Sequence, residues 1–555
     1  MAVSVPLVVA RANIHPTYKS ACDHLVRHTC VMNKAFYVDE LVRRIGFHAD
    51  GRSLGSASLL ALACCCKALE GPVMDVLWKR QKYLSVILQT LPADCWTVTN
   101  RVYVSGLWLA SSSFVSLIPS LFPQHLVRAP TKEEWERFKL YTGRVVELHV
   151  GRIYSGEVSS ETISFLGMQS TVDPLWPRLT SLKLLNRPGW NSVPPTLSFL
   201  SPKMKTLALI LPRDASILLQ PILSIASDRC RWLQELILDI ATDDSRSASW
   251  IGGLIAASRD TLRTLEINSP FHVECLPIIA NLPRLRSLHL ERVNFSEDLP
   301  PGAFPVLEEF TFLHFLGRRV QHFLKHLGTT DLKVAKIYST DLISFEKAMV
   351  GLSRFSTSLT SLEITAITGV HLLRIPISRH PFVNLRHLRL RCFRWGDVAH
   401  ATCGFRPSDE AIAVLGGAMP NLTHLTLGSP TCSTLQCVTF LSLVSLSKSC
   451  KGLETLEIKV DFQSMVVPST TGGEGTGTDA MIYRPPSSAC KLRKLFVGLS
   501  IVPQNPESGW MVAIGLGKIF PSLVEVEGCG LERSEWDKVC ENIRMSRQVL
   551  RTVGK

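Results

Sequence analysis

Histidine pairs four residues apart are the residues whose type and spacing come nearest to a metal site in this chain. His24 and His28, and likewise His322 and His326, would each place two imidazoles on one face of a helix. Neither pair has the glutamate of a metalloprotease motif or cysteines at zinc-finger spacing. We therefore interpret them as ordinary histidines and expect neither a metal site nor a cofactor.

Two other motifs have the residue types of a binding site without its spacing. Gly515-Leu-Gly517-Lys518 lacks the first glycine of a phosphate-binding loop and the Ser or Thr after its lysine. Cys432 and Cys437 have no second pair at metal-ligand spacing. No Ser–His–Asp or Cys–His arrangement can be assigned from the sequence. The chain is expected to bind other molecules and not to be an enzyme.

The commonest element is a hexad with the pattern apolar-x-x-apolar-x-apolar, as in Leu285-Leu288-Leu290. Its last two apolar positions alternate with polar ones, which is typical of a strand buried on one face. The hexads recur every 22 to 39 residues, and a degenerate copy begins at Leu523. The other hexads begin at Val145, Leu179, Met204, Leu233, Leu262, Leu285, Leu307, Leu332, Leu359, Leu385, Leu422, Leu453 and Leu492.

Apolar helical segments lie between the hexads. Ser408 is a capping residue with acids after it, and Pro420 follows the same segment. Pro283, Pro305, Pro420 and Pro521 each stand two residues before a hexad, where a proline ends a helix and directs the chain into a turn. One strand and one helix cannot bury their apolar faces alone, whereas stacked copies can. An α/β array of parallel strands follows.

The hexads resemble those of leucine-rich-repeat proteins over residues 144–533. The resemblance implies a solenoid of about 13 irregular strand–helix repeats, counted from the hexads. Val293 and Pro430 occupy positions where the family usually has Asn or Cys, which favours an uneven arc without a regular Asn ladder. Loops are predicted near 393–407 and 468–486. The solenoid's concave strand face would bind a target, with candidate residues His149, Lys183, Glu266, His289, Arg389 and Lys494.

Residues 34–92 have the pattern of short amphipathic helices, with Leu41 and Ile45 on one face and Pro72 opening a helix that ends near Leu77. The segments DELVRRI and LLALACCCKALEGPVMDVLW resemble the F-box of divergent, fungal-type F-box proteins, with Tyr37-Val38 in place of the family's opening Leu-Pro. The resemblance implies a small all-α domain that binds the Skp adaptor of a Skp–cullin–F-box ubiquitin ligase. Its adaptor-binding residues would be Leu41, Ile45, Leu60, Leu62, Pro72, Leu77 and Trp78.

This interpretation gives the chain five segments and a role in ubiquitin-dependent protein degradation. An N-terminal tail (1–33) precedes the F-box-like domain (34–92), and a helical connector or N-terminal cap (93–143) leads to the solenoid (144–533) and a C-terminal capping helix and tail (534–555). The repeats would bind an unknown target protein. The alternative is a leucine-rich-repeat scaffold without a ligase partner, in which residues 1–140 merely cap the solenoid.

Composition limits the remaining partners. The net charge is +13, but the 60 Lys and Arg residues are scattered, so nucleic-acid binding is not expected. No run of 18 uncharged apolar residues exists, so a membrane partner is not expected either. The 16 cysteines follow no framework, which favours a reducing cytoplasmic or nuclear location.

Overall fold

The structure is a computed structural model that describes most of the second half of the chain and parts of the first. The described residues are 59, 63–64, 67–98, 124–150, 158–172, 175–185, 199–211, 216–240, 246–268, 273–291, 299–315, 317–339, 345–366, 381–392, 407–428, 438–463, 490–500, 506–529 and 533–553. The predicted loops near 393–407 and 468–486, Val293, Pro430 and the tail 1–33 lie outside them, apart from Pro407.

The chain divides into two compact units, Met1–Leu207 (unit 1) and Ala208–Lys555 (unit 2). The division lies inside strand β6, Thr206–Leu211, and therefore within the predicted repeat segment. It does not coincide with the expected boundary at 143/144. Each repeat packs against the repeats before and after it, so the boundary between compact units need not lie where the hexads begin.

Unit 1 contains strands that pair in parallel and a short antiparallel pair. Its strands are β1 Arg80–Gln81, β2 Trp96–Val98, β3 Gln124–Leu126, β4 Glu147–Val150 and β5 Ser181–Leu185. Its helices are α1 Lys67–Lys79, α2 Leu84–Leu88, α3 Lys132–Thr142 and α4 Ser160–Val172. β1 and β5 each pair in parallel with β4, and β2 pairs antiparallel with β3.

Two details of unit 1 differ from the sequence prediction. β1 lies inside the segment expected to be all-helical, and β2 and β3 lie inside the segment expected to be a helical connector. Strands of two or three residues are too short for a period-two pattern to reveal. Pro72 also lies within α1 and does not open it. Val73, the next residue, is fully buried and packs in a small cluster with Leu59. This packing stabilises the helix although the proline has no backbone N–H to donate.

Unit 2 is an array of strand–helix repeats. Its strands are β7 Glu235–Ile240, β8 Thr264–Ile267, β9 Ser287–Glu291, β10 Glu309–Phe315, β11 Val334–Ser339, β12 Ser361–Ala366, β13 His387–Cys392, β14 His424–Leu427, β15 Val438–Thr439, β16 Thr455–Ile458, β17 Val460–Asp461, β18 Lys494–Gly498 and β19 Glu525–Gly528. Its helices are α5 Ser216–Arg229, α6 Arg246–Ala257, α7 Leu276–Ala280, α8 Gly317–His326, α9 Phe345–Leu352, α10 Asp409–Ala418, α11 Phe440–Ser449, α12 Pro506–Ile519 and α13 Arg533–Val553.

The strands of the main sheet in unit 2 are parallel and follow chain order. β15 and β17 form a separate two-stranded parallel ladder. The connections between neighbouring sheet strands carry the helices, as a parallel sheet requires. Unit 2 therefore has the leucine-rich-repeat fold that the hexads predict.

The hexads set the register of this sheet, as predicted. In the repeat of β9, Leu285, Leu288 and Leu290 are almost wholly buried, and Leu288 pairs with Phe310 of β10. The weakest hexad, Leu332-Ala335-Ile337, is also completely buried. The degenerate copy at Leu523 leads into β19. Every apolar position of the predicted hexads is buried, so the sheet buries one face continuously.

A ladder of shared carbonyls joins the starts of successive strands in unit 2. The carbonyl of Gln234 accepts hydrogen bonds from the amides of Arg263 and Thr264, and the carbonyl of Arg263 accepts from Arg286 and Ser287. The same arrangement continues to the amides of Val524 and Glu525, with donor–acceptor distances of 2.7–3.1 Å. The ladder satisfies these backbone donors and adds main-chain support to the register that the buried hexads set.

The helices between the strands begin and end close to the predicted positions. The Ser408 hydroxyl caps α10 by accepting from the amide of Ala411 at 3.1 Å, and Thr439 caps α11. Pro420 and Pro521 lie in turns directly after α10 and α12. At the C-terminal end, α13 buries Trp536, whose indole N–H donates to the Ser500 carbonyl at 3.1 Å. No helix within the described ranges is long and apolar enough to cross a membrane.

Candidate functional site

The candidate site is the outward face of the unit 2 sheet, which we define as the strand positions that alternate with the buried ones. Backbone pairing aligns these positions across neighbouring strands in three rows. We call them the first, middle and third rows, in the order in which the chain passes them on each strand. Glu266 and His289 are register partners in the middle row, and Arg389 lies in the same row. Lys494 lies in the first row, one row away from Arg389. His149 and Lys183 are register partners on β4 and β5 of unit 1.

The outward face of β7–β9 is acidic. Glu235 and Asp239 on β7, Glu266 on β8 and Glu291 on β9 occupy outward positions, and none of the described outward positions on these three strands is a Lys or Arg. Burial and the neighbouring carboxylates of Glu291 and Glu266 raise the pKa of Asp239. This acidic zone is negatively charged, although the net charge of the whole chain is +13.

Between β11 and β16 the outward face carries two arginines held by two carboxylates. Glu363 Oε1 lies 3.6 Å from Arg389 Nη1. The Glu363 carboxylate also accepts a hydrogen bond from the Tyr338 hydroxyl. Burial and the negative charge of Glu363 raise the pKa of Tyr338 to about 12. The phenol therefore remains protonated and remains a donor to this carboxylate.

Glu457 holds the second arginine in the same way. Its Oε2 atom accepts from Arg391 Nη2 at 2.9 Å and from the Thr426 hydroxyl at 3.1 Å. The side chains of Glu363 and Glu457 are only 13% and 14% exposed, whereas those of Arg389 and Arg391 are 47% and 37% exposed. The carboxylates are therefore the buried, positioning partners, and the guanidinium groups reach solvent.

Arg391 pairs with Glu457 across β14, and Gly428 lies next to that strand. Arg391 is in the third row of β13 and Glu457 is in the middle row of β16, with β14 between the two strands. Gly428 ends β14 at the intervening third-row position with a φ of 80°, and its amide donates to the Leu390 carbonyl at 2.7 Å. This position carries no side chain, and the Arg391–Glu457 pair spans the same strand. A residue with Cβ would be strained at this φ.

Two polar atoms beside this network have no hydrogen-bond partner. Thr365, in the third row of β12, is 4% exposed, and its hydroxyl is buried without a partner. The Nε atom of Arg391, its register partner on β13, is also buried without a partner. Both atoms can donate a hydrogen bond. We call this group the arginine centre, which comprises Tyr338, Glu363, Thr365, Arg389, Arg391, Thr426 and Glu457.

A stacked histidine pair lies in the first row beside the arginine centre. His387 and His424 are register partners, and their ring centroids are 4.5 Å apart with an interplanar angle of 26°. Thr423 Oγ1 lies 2.9 Å from His424 Nδ1. Burial lowers the pKa of His387, and the nearby His424, Arg386 and Arg389 lower it further. His387 is therefore neutral at pH 7 and does not add positive charge to the centre.

In unit 1, the described residues of the predicted adaptor surface belong to α1. Leu77 packs against the cluster of Leu59 and Val73, and the Trp78 ring lies 4.8 Å from the ring of Tyr141 on α3. Pro72 is partly exposed within the helix. Leu41, Ile45, Leu60 and Leu62 lie outside the described residues. Leu77 and Trp78 thus have structural roles, whatever else they contact.

One cluster in unit 1 has the residue types of a metal site. The ligand atoms of Asp94, Cys95 and Glu134 lie within 4.8 Å of one another. Arg128 already donates to both carboxylates, at 2.7 Å to Asp94 and 2.9 Å to Glu134. Its guanidinium and the Thr131 amide lower the pKa of Glu134 to about 2, while burial and the Glu134 charge raise the pKa of the Cys95 thiol. A metal ion would have to displace this cation, so the cluster is a structural ion pair.

The weak motifs of the sequence have ordinary structural settings where they are described. His322 and His326 lie on α8 with ring centroids 4.4 Å apart, and His326 Nδ1 is 2.9 Å from the His322 carbonyl oxygen. Gly515 to Lys518 lie inside α12, so they form no phosphate-binding loop. His24, His28, Cys432 and Cys437 lie outside the described residues.

The sequence prediction missed most of the arginine centre. Arg389 was a candidate, whereas Tyr338, Glu363, Thr365 and Glu457 were not. The same alternation rule places all four at outward positions of their hexads, since each stands next to or between buried leucines and isoleucines. Reading every hexad for its outward residues would have found them. Their mutual contacts still could not be derived, because Glu363 and Glu457 are three strands apart.

No known family model matches this sequence, and no curated protein matches it. Among solved structures, the chain is similar to the leucine-rich repeat-containing protein LegL7 from Legionella pneumophila, with 13% sequence identity and a TM-score of 0.32. That similarity covers 65% of this chain and 96% of the LegL7 chain.

Proposed function

We propose that this protein is the substrate-recognition subunit of a Skp–cullin–F-box ubiquitin ligase of the divergent, fungal type. Residues 34–92 would bind the Skp adaptor, and the outward face of the repeats would bind a target protein. The observation that carries the binding role is the outward face of unit 2, where ion-paired arginines and an acidic zone lie on a continuous parallel sheet. A rigid sheet that displays charged side chains is suited to selecting a protein partner.

The same surface supports a role without catalysis. The guanidinium groups of the arginine centre offer only hydrogen-bond donors, and the pKa of Tyr338 is raised to about 12. Neither the guanidinium groups nor the Tyr338 phenol would act as a general base near neutral pH. Ubiquitin transfer would depend on proximity, with the ligase complex holding the target near the transferring enzyme. We place this complex in the cytoplasm or nucleus.

The F-box-like assignment rests on the sequence resemblance and on where α1 lies. Arg144 Nη1 donates to the Gly71 carbonyl at 2.9 Å and also pairs with Asp75, and Arg178 lies 3.5 Å from Asp75. These contacts fix α1 on the rest of unit 1. A firmly anchored helix would hold a bound adaptor in a fixed position on unit 1.

Co-purification with the Skp adaptor tests the proposal directly. We expect the full-length chain to form a stable complex with purified Skp adaptor, and Leu41→Asp with Ile45→Asp to abolish it, because a buried charge in the apolar contact is costly. Val86→Asp is the matched control, since Val86 is an exposed apolar residue of the same segment. Leu77→Asp is unsuitable, because Leu77 packs inward. A wild-type chain that does not bind the adaptor overturns the ligase role.

A leucine-rich-repeat scaffold without a ligase partner is the second candidate. The pairing of β1 with β4 favours it, because residues after α1 continue the parallel sheet of unit 1 in the manner of a cap. Under this alternative, the adaptor does not bind, and a chain lacking residues 34–92 loses stability without losing any ligase contact. The adaptor experiment therefore separates the two candidates.

A further inference from the structure

We propose that the arginine centre binds one carboxylate of the target, from an Asp or Glu side chain in a segment that crosses β12 to β14. This inference rests on the proposed function, since it names the chemistry of the target at the same face. Arg389 and Arg391 would supply the charge, and the Thr365 hydroxyl would supply a further hydrogen bond.

The unpartnered donors are the first argument. The Thr365 hydroxyl and Arg391 Nε are register neighbours, and both are buried without a partner. Buried donors without a partner are rare because they cost free energy. A carboxylate has two oxygens and can accept from both. Its approach would require Arg391 to shift, so that Nε and the exposed Nη atoms face the same ligand.

Net charge is the second argument, and it favours a carboxylate over a phosphate. The two arginines and two glutamates of the arginine centre balance each other, and Lys336, the register partner of Glu363 beside the centre, adds one net positive charge. One carboxylate neutralises that charge. A phosphate group carries about −1.5 to −2 at pH 7 and would leave an excess of negative charge.

The third argument is that a carboxylate restrains each arginine, so the shift of Arg391 starts from a restricted set of conformations. The Glu363 and Glu457 side chains each bind one guanidinium, and the Tyr338 and Thr426 hydroxyls donate to the same carboxylates. Holding a long side chain before the ligand arrives reduces the entropy lost on binding. Each guanidinium still has free N–H groups, because an arginine has five donors.

Selection from a peptide library tests this assignment without knowledge of the target. A displayed library of random, unphosphorylated peptides is selected on the full-length chain, and the selected peptides are synthesised and measured by fluorescence anisotropy. We expect enrichment of Asp or Glu at one position. Replacing that residue by Asn or Gln should weaken binding by about tenfold. Phosphoserine at the same position should bind no more tightly than the carboxylate.

Variants of the chain identify the binding residues. Arg391→Gln should weaken the acidic peptide by about tenfold and leave the Gln-substituted peptide almost unchanged. Thr365→Val keeps both ion pairs and the residue's shape, and it should weaken the acidic peptide by about threefold. Arg286→Gln is the matched control, because Arg286 is an exposed arginine of unit 2 that pairs with Glu308 outside the arginine centre.

Several results would overturn the inference. One is a selection without acidic enrichment. Another is equal binding of acidic peptides to Thr365→Val, Arg391→Gln and wild-type chains, which would mean that the peptides bind elsewhere on the chain. Tighter binding of the phosphoserine peptide would mean that the arginine centre prefers a phosphate to a carboxylate. None of these results affects adaptor binding through residues 34–92, so failure here and failure of the ligase role are distinguishable.

Discussion

At the scale of single residues, the functional face depends on carboxylates that hold cations. Glu363 and Glu457 are nearly buried, yet each has an arginine and a hydroxyl group as partners. Glu134 has the same role in unit 1, with Arg128 and the Thr131 amide as its donors. For Glu134, these donors lower the pKa although burial alone would raise it.

Glu134 gives unit 1 a dependence on acid pH. Its folded-state pKa is about 2 against an ordinary value of 4.5, chiefly because of the Arg128 hydrogen bond. A lowered pKa contributes stability that is complete above pH 4.5 and is lost as pH falls towards about 2. We expect the melting temperature of the wild-type chain to fall more steeply over this window than that of Glu134→Gln. Thermal unfolding followed by circular dichroism at a series of pH values measures the difference.

Glu133→Gln is the control for that measurement. Glu133 is exposed and lies in the same first turn of α3, so its replacement by Gln removes the same formal charge. If Glu133→Gln and Glu134→Gln reduce the fall in melting temperature at acid pH equally, the Arg128 contact is not its cause.

At the scale of elements, Gly428 connects backbone geometry to the arginine centre. Gly428→Ala should destabilise the chain by about 1 kcal/mol, because alanine is strained at a φ of 80°. Gly417→Ala should instead stabilise it by up to about 1 kcal/mol, since Gly417 is exposed within α10 and an added Cβ meets nothing within 4 Å. Urea unfolding of both variants measures the two effects. A stabilised Gly428→Ala would show that this φ imposes no strain on a residue with a Cβ.

The elements also show what the sequence could predict and why the rest was missed. The hexads predicted the main strands and the buried face, because repetition makes a period-two signal visible even in the weak copy around Ala335. β1, β2 and β15 were missed, since two or three residues contain no period. The Arg391–Glu457 pair was missed because its residues are 66 apart in sequence, and their approach depends on the order of strands.

At the scale of the whole molecule, the net charge of +13 raises the question of nucleic-acid binding. Several cations are already paired, including Lys494 with Glu525 at 2.8 Å and Lys333 with Glu308 at 2.7 Å, and β7–β9 are acidic. We expect weak binding to single-stranded RNA, with a slope of log affinity against log salt no steeper than about −2, equivalent to about three phosphate contacts. Filter binding at a series of salt concentrations measures this slope. A steep slope with tight binding at physiological salt would favour a nucleic-acid partner instead.

The shared-carbonyl ladder has a consequence for how the array can change in length. It fixes each strand only where the strand begins, while the distance along the chain between successive rungs varies from 22 residues, between Arg286 and Glu308, to 39 residues, between Glu454 and Arg493. Extra residues after a strand therefore leave the alignment of the next strand intact. A foreign epitope or a fluorescent domain could be grafted into the segment between Gln463 and Cys490 while the neighbouring repeats keep their pairing.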